Sequence, residues 1–268
     1  MQTILFQDKK VAYYTGGVKG TPLVFLHGFC EDSSMWDDFL EIFEDEYQTI
    51  RVDLPGLGKS DPVEGVTIEF MAKAVLAVLE ELRVEKFILV GHSMGGYVSL
   101  EIGKIAGDRI IGLGLFHSHP FADTDDKKES RDKAINFIES HGHQLFVKQF
   151  IPNLFAVDFA KSNTFLVDKM IHRASRYTQE GIIGALNAMK NRSDNASVLK
   201  DFPAPVLFII GELDEAIPYD ISIEQTHLPA IADIHILPKV GHMGMFRAKK
   251  ETQGIVRRFV RFCLERLN

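Results

Sequence analysis

Phe87-Ile88-Leu89-Val90-Gly91-His92-Ser93-Met94-Gly95-Gly96 is the stretch that decides how this 268-residue chain is read. Four apolar residues run straight into Gly-x-Ser-x-Gly, and an apolar pattern with helical spacing follows to about Ala106. A strand, a sharp turn and a helix in that order hold a serine in a strained conformation with its hydroxyl clear of the sheet edge. Gly91 and Gly95 let strand and helix pass close together. Met94 opens the helix, so its N–H has no intrahelical acceptor and can donate to a developing oxyanion. Ser93 is therefore a candidate nucleophile. The plainer reading is a glycine-rich strand-to-helix turn that carries a serine incidentally.

Working outward from this turn, apolar runs alternate with helical stripes. Upstream, residues 3–14 alternate polar and apolar and predict one or two short strands with a hairpin-like start. Leu23-Val24-Phe25-Leu26 predicts a strand buried on both faces, ending at His27-Gly28-Phe29. Met35, Trp36, Phe39, Leu40 and Phe43 share one face of a predicted helix over 34–43. Thr49-Ile50-Arg51-Val52 predicts a strand, stopped by the loop Asp53-Leu54-Pro55-Gly56-Leu57-Gly58-Lys59-Ser60. A helix is expected over 67–82, with Thr67 at its start. Downstream, Ile110 to Phe116 predicts the next strand. Such alternation implies a mainly parallel α/β sheet with helices on both faces.

Between Ser118 and Leu199 no strand is expected. Helical stripes rich in phenylalanine fill this segment, including Phe137, Phe146 and Phe150. An all-helical insertion in an α/β chain reads as a lid, so the expected division is a core of 1–117 and 200–268 with a helical cap over 118–199. Extra core helices are the alternative. The α/β pattern resumes at Val206 to Ile210, followed by Gly211-Glu212-Leu213-Asp214. A strand over 233–237 leads to Val240-Gly241-His242, and an amphipathic helix over about 249–267 closes the chain.

Composition narrows the function classes. Hydrophobic residues are 46% and charged residues 25%, which suits a globular protein, and the formal net charge of -7 offers no broad basic surface for nucleic acid or an anionic membrane. No apolar run approaches the roughly 18 to 20 residues that span a bilayer. The N-terminal stretch lacks the pattern of a secretion signal, so a cytoplasmic location is expected. The two cysteines, Cys30 and Cys263, are too few for a thiolate zinc site or a disulfide framework.

In an open parallel sheet, ligands bind at the carboxyl ends of the strands. His27-Gly28-Phe29, Ser93, Asp214 and His242 each follow a strand run, and the nucleophile, acid and base candidates come in the order Ser, Asp, His. On these segments, together with Asp53 to Ser60, the chain resembles the α/β-hydrolase-fold enzymes, specifically serine esterases and lipase-like members with a helical cap. Only the cap lacks a matching motif. The resemblance places the acid at Asp214, the fourth position of Gly-x-x-Asp, rather than at Glu212.

The expected chemistry is a Ser93, His242 and Asp214 triad, with the N–H groups of Phe29 and Met94 as the oxyanion hole. Of the histidines after Asp214, His227 falls at a helix end and His235 inside a strand, so neither sits at a strand terminus. His27 is read as bracing its loop and His92 as a neighbour of the turn. Alternation of side chains through the strand end aims His117 and His119 at the cavity as lining residues, with no metal and no cofactor expected.

The reading is hydrolysis of a small to medium carboxylic ester with an apolar acyl or alkyl group. The same triad leaves open a carbon–carbon bond hydrolase, an enol-lactonase, a perhydrolase and a thioesterase. A serine at this position argues against the dehalogenases and epoxide hydrolases of similar fold, which use an aspartate. The rival from another class is a ligand receptor built on the same fold.

Overall fold

A computed structural model describes residues 1–18 and 20–267. Its frame is an eight-stranded sheet: β1 (Gln2–Phe6), β2 (Lys9–Gly17), β3 (Pro22–Leu26), β4 (Gln48–Val52), β5 (Phe87–His92), β6 (Ile110–Phe116), β7 (Val206–Gly211) and β8 (Ala232–Leu237). The spatial order is β1-β2-β4-β3-β5-β6-β7-β8. β1 pairs antiparallel with β2, and β2 antiparallel with β4; every other neighbour is parallel. The hairpin-like start is thus two strands, joined at Gln7 and Asp8 with φ 50° and 62°, the two positive values that a type I′ turn requires.

Burial follows the sequence pattern. β5, β6 and β7 are buried at every residue, which needs cover on both faces of the sheet. The outermost strands β1 and β8 carry mostly exposed and half-buried residues, as edge strands do. The helix Ile68–Glu81 packs against the helix Met94–Ala106, which lies on β5 and β6. Thr67 caps the first of these by accepting the Phe70 N–H at 3.0 Å. The final helix, Lys249–Glu265, buries Ile255, Phe259 and Cys263 and contacts β6.

One predicted helix is shorter than expected. Residues 34–43 form a 3₁₀ turn, Ser33–Trp36, and a four-residue helix, Asp37–Leu40. Met35, Trp36, Phe39, Leu40 and Phe43 are buried as the pattern requires. Asp53 Oδ1 accepts the Ser33 N–H, and Asp32 accepts the Ser34 N–H at 2.9 Å, so side chains rather than a regular ladder hold the segment.

Between β6 and β7 the described chain contains no strand. It forms the helices Asp125–His141, His143–Phe150, Val157–Ser162, Thr164–Ala174, Gln179–Lys190 and Ala196–Lys200. Several polar contacts tie this segment to the sheet layer. Tyr177 donates to Asp32 at 2.9 Å, and Asn195 donates to Glu101 at 3.1 Å. Among the described residues no helix is long and apolar enough to cross a membrane.

Candidate active site

Ser93 sits between the end of β5 and the start of the helix Met94–Ala106, with φ 50° and ψ -117°. Few side chains adopt that backbone region, and holding one there costs of order 1–3 kcal/mol. The surrounding bonds fix it: its N–H donates to Phe116 O at 3.0 Å, and its carbonyl accepts the Gly96 N–H and the Ser118 hydroxyl, each at 2.8 Å. The two glycines are spatially required. A Cβ on Gly91 would lie 2.3 Å from Gly95 O, and one on Gly95 would lie 2.6 Å from the carbonyl oxygens of Leu26 and His27. Met94 begins the helix, so its N–H belongs to the first turn, which has no intrahelical acceptor.

Asp214 lies just past the end of β7 and His242 on the loop after β8. His242 Nδ1 is 2.8 Å from Asp214 Oδ2, and both side chains are buried. The other carboxylate oxygen of Asp214 accepts the N–H groups of Ala216 and Ile217, both at 2.9 Å. Burial opposes ionisation of Asp214, but His242 and His117 outweigh it, and the carboxyl lies well below the usual carboxylate range. Its charge therefore faces His242 Nδ1 and fixes the ring so that Nε2 is the free nitrogen.

A cavity of about 220 Å³ is lined by Ser93, His242, Phe29 and Met189, with Phe146, Phe150, Leu154 and Leu186 on its apolar walls. The Phe29 ring meets Phe150 edge-on at 5.4 Å between centroids, and Phe146 stacks on Phe150 at 5.4 Å. A somewhat larger cavity, about 280 Å³, lies between segment 30–39 and the helix Thr164–Ala174. It is lined by neither Ser93 nor His242, so the candidate residues share only the smaller one. Glu31 borders both.

The sequence does not single out Glu31, although it holds the site together. Its Oε2 accepts the Gly28 N–H at 2.7 Å and faces His92 Nδ1 at 3.0 Å. His92 Nε2 in turn bonds the main-chain carbonyl of His242 at 3.0 Å. Both partners of His92 are acceptors, so the doubly protonated ring is the form that satisfies both. Burial resists that charge, but Glu31 raises the His92 pKa above its ordinary value. Burial likewise resists the Glu31 charge, yet His92 and the Gly28 N–H bring its pKa below the ordinary value. This buried pair links the Phe29 loop to the His242 loop across β5. A carboxylate immediately after an apolar strand-end loop is the one sequence signal that marks Glu31.

The remaining candidates fall in different places. His27 donates from Nδ1 to Gly28 O and accepts the Leu54 N–H at Nε2, each at 2.9 Å, so it braces two loops as expected. His117 does not open onto the cavity. It is buried behind Asp214, with Nδ1 3.4 Å from Asp214 Oδ2 and 3.2 Å from the Gly211 N–H that it accepts. The reason is its φ of 50°, which breaks strand alternation at that residue. His119 reaches the cavity only through Tyr97, whose hydroxyl is 3.4 Å from its Nε2. Glu212 is exposed and accepts the Lys239 N–H, and His235 pairs with Asp233. Burial pushes the Cys30 thiol well up, which disfavours the thiolate. Among the described residues no cluster of three or more His, Cys, Asp or Glu side chains has the geometry to hold a metal ion.

Comparison with known proteins adds a family. A family model described as "Alpha/beta hydrolase family" matches residues 23–252. The dihydrolipoyllysine-residue acetyltransferase component of the acetoin cleaving system of Pseudomonas putida is 28% identical over 251 residues, covering 92% of this chain. The chain spans only 65% of that relative's length. The 3-oxoadipate enol-lactonase 1 of Acinetobacter baylyi is 26% identical over 209 residues, covering 78% of this chain and 77% of the relative. Among solved structures, a thermophilic esterase from Thermogutta terrifontis, described as malate bound, superposes with a TM-score of 0.89 at 25% identity, covering 95% of this chain and 94% of that one.

Proposed function

The chain belongs to the alpha/beta hydrolase family, and from that footing we propose that it is a serine hydrolase that cleaves a small to medium carboxylic ester. The observation that carries this reading is the 2.8 Å contact between His242 Nδ1 and Asp214 Oδ2, made beside a cavity that Ser93 and His242 line together. His242 Nε2 takes the proton of the Ser93 hydroxyl as Oγ attacks the ester carbonyl. Asp214 stabilises the imidazolium that results. The carbonyl oxygen becomes an oxyanion and accepts the N–H groups of Phe29 and Met94; each such donor is worth about 3 to 4 kcal/mol of barrier. The intermediate collapses, the C–O bond breaks, and the departing alcohol takes the proton from His242. A water then attacks the acyl-enzyme with His242 again as base, releasing the acid and restoring Ser93.

The helices between 118 and 199 serve as a cap over a core of 1–117 and 200–268. Their apolar residues Phe146, Phe150, Leu186 and Met189 suit an acyl or alkyl group. A lactone is the second substrate class, supported by the enol-lactonase relative and by the identical chemistry of an internal ester. Hydrolysis of p-nitrophenyl butyrate tests the reading. Turnover that falls by about a thousandfold or more in Ser93→Ala is the expected result. Undiminished turnover in that variant, or none in the parent protein with any ester or lactone, contradicts it.

A further inference from the structure

The cavity beside Ser93 carries an excess of positive charge at one end. Lys127, Ser130 and Arg131, all on the inserted helix Asp125–His141, line it there. Arg131 is engaged by Asp123, and Arg192 bonds the same carboxylate, so one acid serves two guanidinium groups. Lys127 is left without an acid of its own. Its Nζ donates to the neutral carbonyl of Ala216 at 3.2 Å, and among the described residues it forms no ion pair.

Burial, with Arg131 and Arg192, lowers the Lys127 pKa from its ordinary value; Asp123 and Asp214 act against that, but neither is paired with it. Glu31, on the same cavity, is already balanced by His92. Asp214 is committed to His242 and to the N–H groups of its own loop. The positive field is felt by neighbours: burial, then Arg192, Lys127 and Arg131, push the His119 pKa down to about 3 despite Asp123. A chain with a formal net charge of -7 thus places two cations on the wall of the cavity that Ser93 lines. An anion there would exchange the neutral Ala216 carbonyl for a charge-assisted hydrogen bond, which is shorter and roughly twice as strong.

We propose that Lys127 recognises a carboxylate on the substrate, so that the preferred ester or lactone carries a second, anionic group beyond an apolar spacer. This rests on the serine-hydrolase reading above and extends it to a substrate class. The spacer meets the apolar walls, while the carboxylate replaces Ala216 as the partner of Nζ.

Two matched ester pairs test the assignment. For the acyl side, p-nitrophenyl valerate is compared with the p-nitrophenyl half-ester of glutaric acid. For the alcohol side, butyl butyrate is compared with 3-carboxypropyl butyrate. Within each pair a terminal methyl becomes a carboxylate at nearly constant length. The expected result is a kcat/KM ratio favouring the carboxylate in at least one pair, reduced about tenfold in Lys127→Met and kept in Lys127→Arg. The ratio cancels any general effect of the substitution on the triad. If Lys127 merely latches the inserted helix to the Asp214 loop, both members of a pair fall together and the ratio is unchanged, which overturns the proposal. Preference for the neutral ester in both pairs overturns it as well. Ser93-dependent turnover of the neutral esters with either of those outcomes would leave the hydrolase reading standing, whereas no turnover of any of the four removes both.

Discussion

Glu31 and His92 are 61 residues apart in the chain and 3.0 Å apart in the fold. Their contact joins the loop that carries Phe29 to the end of β5, just before Ser93, and the far side of the His92 ring holds the main chain at His242. Three of the loops that meet at the candidate site are therefore fastened by one buried pair.

Removing either partner leaves the other buried without compensation. Glu31→Ala and His92→Ala are each expected to lose about 3 kcal/mol of unfolding free energy, measured by urea denaturation at neutral pH. Glu31→Gln keeps the size of the side chain and an acceptor for the Gly28 N–H but not the charge, and is expected to lower kcat more than it raises KM, because the bonds from Gly28 and His92 lose their charge assistance and hold the Phe29 loop less firmly. Variants as stable and as active as the parent protein would show that the pair is incidental.

Stability is expected to fall as pH drops from 6.5 toward about 4, before most carboxylates titrate. Burial holds the His117 pKa down to about 4, and burial with Arg192 holds that of His119 down to about 3, against an ordinary 6.5. In that window the unfolded chain binds protons that these two folded imidazoles refuse, so acidification favours unfolding. His92 acts with the opposite sign, since its raised pKa contributes stability below 6.5 and loses it as pH rises through the folded value. Two groups outweigh one. Urea denaturation at pH 7 and pH 5 should show a lower midpoint at pH 5, and His119→Gln, which can still accept the Phe121 N–H, should reduce the difference. A midpoint equal or higher at pH 5 would contradict the sign.

Phe150 tests the role of the inserted helices. Its ring packs edge-on against Phe29 and stacks with Phe146 at the cavity wall. Phe150→Ala is expected to raise KM for p-nitrophenyl butyrate about tenfold, with a smaller change for the acetate, because the longer acyl chain loses more apolar contact. Equal effects on the two esters would place the acyl group elsewhere.

Much of this architecture is legible in the sequence because strand runs end abruptly. Four apolar residues before Gly91, and similar runs before Gly28 and Gly211, mark the carboxyl edge of the sheet, where Ser93, Asp214 and His242 gather. The final helix and the strand-free stretch after β6 follow from periodicity alone. What the sequence hides is of two kinds. The Glu31–His92 contact and the charge imbalance around Lys127 depend on side chains far apart in the chain, which no local period reports. His117 is different: alternation would aim it at the cavity, but a positive φ at that one residue turns it behind Asp214. The helix expected over 34–43 is divided into a 3₁₀ turn and a four-residue helix, a break that the apolar stripe running through both does not mark.

The central claim is that the strained serine after β5 is the nucleophile. The most direct measurement is covalent labelling of the intact protein with a fluorophosphonate, read by mass spectrometry of the whole chain and of its peptides. The account predicts a single adduct on Ser93, absent in Ser93→Ala and slowed by about a thousandfold or more in His242→Ala. An adduct on any other residue, or labelling that persists in Ser93→Ala, would contradict it.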